Sequence, residues 1–403
     1  MNEQFDVVIV GSGMVGAAFA GCLGNTPLKI AVLENELPPP FHPTQPHDLR
    51  VSALSIASKT ILENIDAWQS IERKRFCPFS RMRVWENEGD TEFRSHDIGY
   101  QELGYIVENR IIQLALLEKF EHFKNIECIA PIEITQFHYT PYQLSRFELN
   151  NGRVLDAKIV VAADGGQSKI RQRVGLGVTS WDYKQSALVI YIETAESQQD
   201  ITWQRFVPSG PQAFLPLSGN YGSIVWYHSI DEIKRLQALS YDELKNALIE
   251  AFPVCLGGVK RIIATTSFSL KRQHAQHYVK QGVALIGDAA HTINPLAGQG
   301  VNIGLLDAAA LAEVILEATQ QGRNIADVAL LRRYEKMRYT ENLKMMTVMD
   351  VFYQAFSNEI LPIKILRNIG LNIPEKISPL KNKIMRHAMG LEGHLPKLAQ
   401  RKY

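Results

Sequence analysis

Three apolar runs, each beside glycine or charge, punctuate the chain: Phe5–Val10 (interrupted only by Asp6), Ala157–Ala163 and Gly282–Ile286. Runs of this length read as buried strands. The first leads through a glycine turn into a helix rich in small residues that extends to Gly24, and a second strand follows at Lys29–Glu34. Strand, helix and strand within about 35 residues are what a βαβ unit requires. Pro38, Pro39, Pro40, Pro43 and Pro46 then mark a loop, because proline fixes φ and removes a backbone donor. Ala53–Ile65 has helical character. Between residues 178 and 279 the pattern changes to alternation, as in Ser186–Glu193, Trp203–Pro208 and Gly222–His228, which predicts antiparallel strands covered on one face. Val328–Phe356 returns to a helical period, with Met345, Met349, Phe352 and Phe356 on one face. The predicted fold class is α/β: a Rossmann-like nucleotide-binding domain, an inserted mainly antiparallel β substrate domain, and C-terminal helices. Residues 1–72, 104–177 and 280–325 are assigned to the first, 73–103 and 178–279 to the second, and 326–403 to the helical end.

Composition changes this picture little. The 403 residues suffice for two domains sharing a large core. With 46% hydrophobic and 21% charged residues, disordered and fibrous classes are excluded. The net charge of +1, from 43 basic and 42 acidic residues, gives no general attraction to nucleic acid. Cys22, Cys77, Cys128 and Cys255 lie far apart, with no CxxC pair and no Cys/His cluster, so neither a disulfide framework nor a metal site is expected. Glu3 and Asp6 stand where a signal peptide needs a basic start. No stretch approaches the roughly 20 apolar residues that span a bilayer, so a cytoplasmic protein is expected.

The candidate chemistry begins at Gly11-Ser12-Gly13-Met14-Val15-Gly16, a GxGxxG between a strand and a helix. Gly11 makes the tight turn, Gly13 admits a pyrophosphate, and Gly16 lets helix and strand pack closely. The helix N-terminus then offers free N–H groups to phosphate. Glu34, with Asn35 beside it, ends the second strand and is positioned for the ribose hydroxyls. A glycine turn of purely structural origin is the competing reading, weakened by both flanking strands and the terminal acid. The motif alone does not separate NAD from FAD. Asp164-Gly165 and Gly287-Asp288 each end a further apolar run, where ligands gather in doubly wound sheets. Asp288 could accept hydrogen bonds from ribitol hydroxyls, which NAD lacks.

The assembled pattern is GxGxxG, then Asp164-Gly165 with Ser168 and Arg171, then Gly287-Asp288 with His291 and Pro295. Over nearly the whole chain it resembles the single-component aromatic flavoprotein monooxygenases related to p-hydroxybenzoate hydroxylase. The stretch ALIGDAAHTINPLAGQGVN, from Ala284 to Asn302, resembles their ubiquinone-biosynthesis hydroxylase branch. Val51–Ser55, Tyr105–Asn109, Ala213–Leu217 and Phe356–Asn358 are most similar to members of that branch acting on a demethoxyquinol. The resemblance implies that FAD is the cofactor and that Arg50 and Arg110 contact its pyrophosphate region. It also implies that Asp288 holds the ribitol and Pro295 lies beside the flavin ring. Gly298, Gln299, Gly300, Val301 and Asn302 would line the pyrimidine edge at a helix start.

The same resemblance implies reduction of FAD, addition of O2 at C4a and transfer of the distal oxygen to an electron-rich ring, here a polyprenyl quinol. NAD(P)H or a protein electron donor would be the reductant. The protein must then stabilise negative charge at the flavin N1–C2 edge, with N–H groups around Gly300 to Asn302, and exclude water. No side chain is assigned as catalytic acid or base, and His291 is expected to hold the flavin loop. Phe214, Leu215, Pro216, Trp226 and Tyr227 are candidates for an apolar pocket over the flavin; ordinary core of the insertion is the competing reading. Residues 360–403 contain nine Lys/Arg and two Glu, 9 − 2 = +7, interleaved with Ile, Leu and Met. Such a tail suits peripheral contact with an anionic membrane face or a partner in a ubiquinone-biosynthesis complex. An oxidase or dehydrogenase on the same scaffold, and a non-catalytic flavin-bound assembly protein, are the alternative functions. A side chain at Gly13 would meet the pyrophosphate, so Gly13→Val is expected to purify without flavin; a yellow variant with full flavin content would contradict this placement of the site.

Overall fold

The computed structural model describes residues 2–86, 89–253, 258–293, 300–356 and 378–400. Five parallel strands run in the order Val283–Leu285, Val154–Ala162, Glu3–Val10, Ile30–Leu33 and Ile126–Ile129. The central strand carries no polar/apolar alternation because both its faces are covered, and Val7, Val8 and Ile9 are fully buried. The helix Met14–Cys22 returns the chain from Glu3–Val10 to Ile30–Leu33 and packs against the long helix Gly300–Gln320. Val154–Ala162 lies on the opposite side of the central strand. Strand order therefore reverses about Glu3–Val10, and the carboxyl ends there open a crevice.

A second sheet of eight strands contains Val178–Thr194 and Val259–Ala275, each 17 residues long, then Tyr221–Ser229, Gly210–Leu217 and Ile201–Val207. Arg81–Glu86 joins Ile201–Val207 in parallel, with Gly89–Arg94 at the edge. One face is covered by the helices Ile230–Gln237 and Tyr241–Ala251. Leu188, Ile190, Ile192, Phe214, Ile224 and Trp226 pack there on Ile233, Leu236, Leu244 and Leu248. Ser240 and Glu243 close a capping box at the second helix, which satisfies two otherwise orphaned N–H groups.

The helix expected over Ala53–Ile65 is present but begins later, at Ile56. Val51–Ser55 is a strand, paired with Gly104–Glu108, which also pairs with Cys77–Phe79. The helix Ile56–Asn64 starts only after Ser55, whose Oγ accepts from Ser58 N at 3.2 Å. Strand pairing with a distant segment and a local serine cap together override the periodicity.

The parallel sheet, the large sheet and the C-terminal helix Val328–Phe356 meet at one fully buried carboxylate, Asp307. Its Oδ2 accepts from Gly287 N at 3.2 Å and faces His291 Nε2 at 2.5 Å. Its Oδ1 accepts from Arg338 Nε at 2.9 Å and Asn342 Nδ2 at 3.0 Å. Burial pushes the Asp307 carboxyl up, but His291 and Arg338 outweigh it and hold the pKa at about 2, below the ordinary 3.8. Because the folded value is depressed, this stabilisation is complete above the unfolded pKa and is lost as pH falls from about 4 toward about 2. Asp307→Ala, which leaves Arg338 buried and uncompensated, is expected to cost about 3–5 kcal/mol in urea unfolding. A change within about 0.5 kcal/mol would show that the cluster does not hold these elements together.

Candidate active site

The first strand ends at Gly11, whose φ of 99° is open to glycine at little cost. A Cβ on Gly11 would stand 2.5 Å from Ala163 O, and one on Gly16 would stand 2.0 Å from Gly11 O and 2.9 Å from Ala163 Cβ. Both positions are fixed by protein packing. Gly13 differs: a Cβ there meets no protein atom within 4 Å, and the residue lines a large cavity. The helix that follows has no side-chain cap and no acidic residue in its first turn, so its leading N–H groups remain available to an anion. Glu34 braces this turn, with Oε2 accepting from Ser12 N at 2.6 Å and Ser12 Oγ at 3.0 Å, and Oε1 accepting from Asn35 N at 2.9 Å.

The cavity measures about 760 Å³, a size usual for ligand sites. Of the residues singled out in the sequence, Gly13, Met14, Val15, Arg50, Asp288, Gly300 and Val301 line it on the parallel-sheet side. Gly11, Ser12, Gly16, Glu34, Asn35 and Asp164 are not among its lining residues. Pro295, Gly298 and Gln299 lie outside the described residues. Asp164 Oδ2 accepts from Lys169 N at 2.8 Å and Ile170 N at 3.2 Å, whereas Oδ1 is buried without a partner among the described residues. Asp288 is reachable by water from the cavity yet crowded by protein on most sides. Desolvation raises its pKa, against the opposing pull of His291 and Arg50. An uncapped helix start, an open glycine and two carboxylates with free oxygens fit a nucleotide bearing phosphates and hydroxyls.

The side chains of Arg110 and Asn302 are held by protein partners. Arg110 does not line the cavity: its guanidinium grips Asp48 with two bonds, Nε to Oδ2 at 2.8 Å and Nη2 to Oδ1 at 2.9 Å. The Asn302 side chain is likewise fully engaged. Its Oδ1 accepts from Ser55 N at 2.9 Å and Ser58 Oγ at 2.7 Å, and its Nδ2 donates to Ala53 O at 2.8 Å. It clamps the helix start to the Val51–Ser55 strand, leaving only its backbone for a ligand.

Strand alternation corrects the pocket residues. Val189, Ala213, Leu215, Ser223, Val225 and Tyr227 form the roof of the cavity. Phe214 and Trp226 point the opposite way, into the helix-covered core, and Pro216 shares their register. Side chains one residue apart face opposite sides of a sheet, so a contiguous segment cannot line one pocket.

Two residues matter more than the sequence suggested. Arg171 is buried and donates Nη1 to Ala289 O at 2.7 Å and Nη2 to Gly166 O at 2.9 Å, tying the Asp164 and Asp288 loops together. Burial lowers its pKa. Asp307 was not singled out, although one acid inside the apolar run Ile303–Leu311 was the available signal. His291 is buried against Asp307 and is absent from the cavity wall, as expected of a loop-fixing residue.

Comparison with known proteins agrees with this geometry. The FAD binding domain family matches residues 141–347. The chain is 39% identical over 391 residues to 3-demethoxyubiquinol 3-hydroxylase of Escherichia coli K12, covering 97% of this chain and 100% of that protein. It is 34% identical to ubiquinone hydroxylase UbiL of Rhodospirillum rubrum, covering 96% and 90% respectively. The crystal structure of p-nitrophenol 4-monooxygenase PnpA from Pseudomonas putida shares the fold, with a TM-score of 0.76 at 19% identity over 96% of this chain and 97% of that one. The chain belongs to the ubiquinone-biosynthesis hydroxylases, a family of FAD-dependent monooxygenases.

Proposed function

We propose that this enzyme hydroxylates the open ring carbon of a polyprenyl demethoxybenzoquinol, the reaction for which its Escherichia coli relative is named. The 39% identity that spans 97% of this chain and the whole of that relative carries this reading. FAD, when bound, supplies the activation of O2 that organic ground states lack. In this reading the free N–H groups at Met14 and Val15, with Arg50, hold the pyrophosphate. Asp164 Oδ1 and Asp288 accept from sugar-chain hydroxyls, and N–H groups at the start of Gly300–Gln320 stabilise negative charge on the flavin edge. The roof of Val189, Ala213, Leu215 and Val225 keeps water from the reacting atoms. The residues assigned to the inserted domain would supply that roof.

A polyprenyl tail stays in the bilayer, and no helix among the described residues is long and apolar enough to cross a membrane. Peripheral contact through the +7 segment 360–403, or presentation of the ring by a partner, completes the reading. A second reading, hydroxylation at another ring carbon, is left by the 34% identity over 96% of the chain to UbiL, which is named as a ubiquinone hydroxylase without a ring position. Mass spectrometry of lipid quinones in cells lacking the gene separates the two. Accumulated demethoxyubiquinone, reversed when the gene is restored, is the expected result. An earlier unhydroxylated intermediate would favour the second reading, and an unchanged ubiquinone pool would overturn both.

A further inference from the structure

On the strands Val178–Thr194, Gly210–Leu217 and Tyr221–Ser229 the cavity lining is apolar apart from Ser223 and Tyr227, whereas Val259–Ala275 adds polar groups at Thr266, Ser269, Lys271 and Gln273. Ser223 lines the cavity and is only 2% exposed, and its Oγ has no hydrogen-bond partner among the described residues. It stands directly between Tyr191 and Leu215 on the neighbouring strands. The adjoining row runs Ala213, Val225, Val189 and then Thr266, so that the positions two residues from Ser223 on its own and flanking strands are apolar and the next polar group lies on the far strand. Tyr191 offers no partner in its place, because its OH is engaged with His47 Nδ1 at 2.9 Å. Buried hydroxyls are nearly always satisfied, and leaving one unmet is unfavourable. An unmet hydroxyl in a ligand cavity therefore points to a ligand atom.

The surroundings define that atom. A serine hydroxyl donates one bond and accepts others, so it matches a neutral hydroxyl. Beside it on the sheet lie Leu215 and Tyr191, neither of them charged, and the cavity's Lys271 belongs to the opposite end, beyond Phe268. Four residues along the Ser223 strand lies Tyr227, opposite Ala187, which in turn pairs with Phe268. At ~3.3 Å per residue the two rows are separated by ~13 Å. Phe268 is 38% exposed and lines the cavity, so the far row is the one that reaches solvent. The sheet thus has a closed end where Ser223 is the polar lining group and an open end framed by Tyr227 and Phe268. A ring bearing a hydroxyl at one edge and an apolar chain at the other matches this layout.

We propose that Ser223 is a specificity-determining residue whose Oγ hydrogen-bonds one ring hydroxyl of the quinol, directing the apolar tail out past Phe268. This inference rests on the quinol reading above. The test titrates FAD-loaded wild type, Ser223→Ala and Ser223→Thr anaerobically, reading the absorbance change of the bound flavin. The probes are a prenylated methoxyhydroquinone and the two methoxyphenols that lack one or the other of its hydroxyls. Ser223→Ala is expected to bind the hydroquinone about tenfold more weakly, as loss of one neutral hydrogen bond implies. It should lose as much for one methoxyphenol and nothing for the one missing the contacted hydroxyl, the non-additivity of a direct pair. Ser223→Thr, which keeps the hydroxyl on a strand-favouring side chain, should keep the discrimination. Equal affinity of wild type and Ser223→Ala, or the same loss for all three rings, would overturn the proposal. So would Ser223→Ala purifying depleted of FAD, which would assign the hydroxyl to the cofactor. A wild type that binds none of the rings would overturn the quinol reading and this inference together.

Discussion

The close approach of the first helix to two strand ends is the constraint on which the site depends. Helix Met14–Cys22 comes so near that a Cβ on Gly16 would stand 2.0 Å from the Gly11 carbonyl oxygen. The approach brings a bare helix N-terminus to the point where strand order reverses. The same contact leaves Gly13 as an unobstructed opening in the cavity wall. The helix start Gly300–Gln320 joins this arrangement through a second close contact, where a Cβ on Gly304 would stand 2.5 Å from Val15 Cγ2. Two helix starts therefore converge on one crevice, each presenting backbone N–H groups where a cofactor carries negative charge.

A short loop then couples floor to roof. Residues Gly287 to Thr292 carry Asp288 into the cavity and are held from three directions. Arg171 binds the Ala289 carbonyl, Asp307 binds Gly287 N and His291, and the strand His291–Thr292 pairs with Gln273 and His274 of the large sheet. A cofactor bound at Asp288 is thereby placed against the roof with little freedom, as oxygen transfer between two bound partners demands. Burying Asp307, His291 and Arg338 is costly on its own account. The cluster satisfies each carboxylate oxygen and, in doing so, fixes the loop.

Much of this architecture was legible in the chain because it rests on local rules. The buried strands declare themselves by nearly continuous apolar runs, and Gly11, Gly13 and Gly16 by their position between a strand and a helix. Helix Val328–Phe356 has the bounds its periodicity predicts. What was not legible depends on partners distant in sequence. Residues 53–55 belong to a strand because the segment 51–55 pairs with 104–108, which outweighs their helical period. Asn302 lies in the expected helix start, yet its side chain is taken by Ser55, Ser58 and Ala53, more than 240 residues away. Arg110 is captured by Asp48 for the same reason. In the roof, composition identified the right strands, but only pleat register decides that Leu215 and Tyr227 face the cavity while Phe214 and Trp226 do not.

In the function proposed above, this scaffold delivers one atom of O2 to a quinol ring held beneath the β-sheet roof. The most direct measurement is a turnover of the FAD-loaded enzyme with a prenylated methoxyhydroquinone and a chemical reductant under ¹⁸O2, with mass analysis of the organic product. The expected product carries one new hydroxyl whose oxygen is the heavy isotope. A hydroxyl oxygen derived from water, or consumption of O2 with an unaltered ring, would contradict that function.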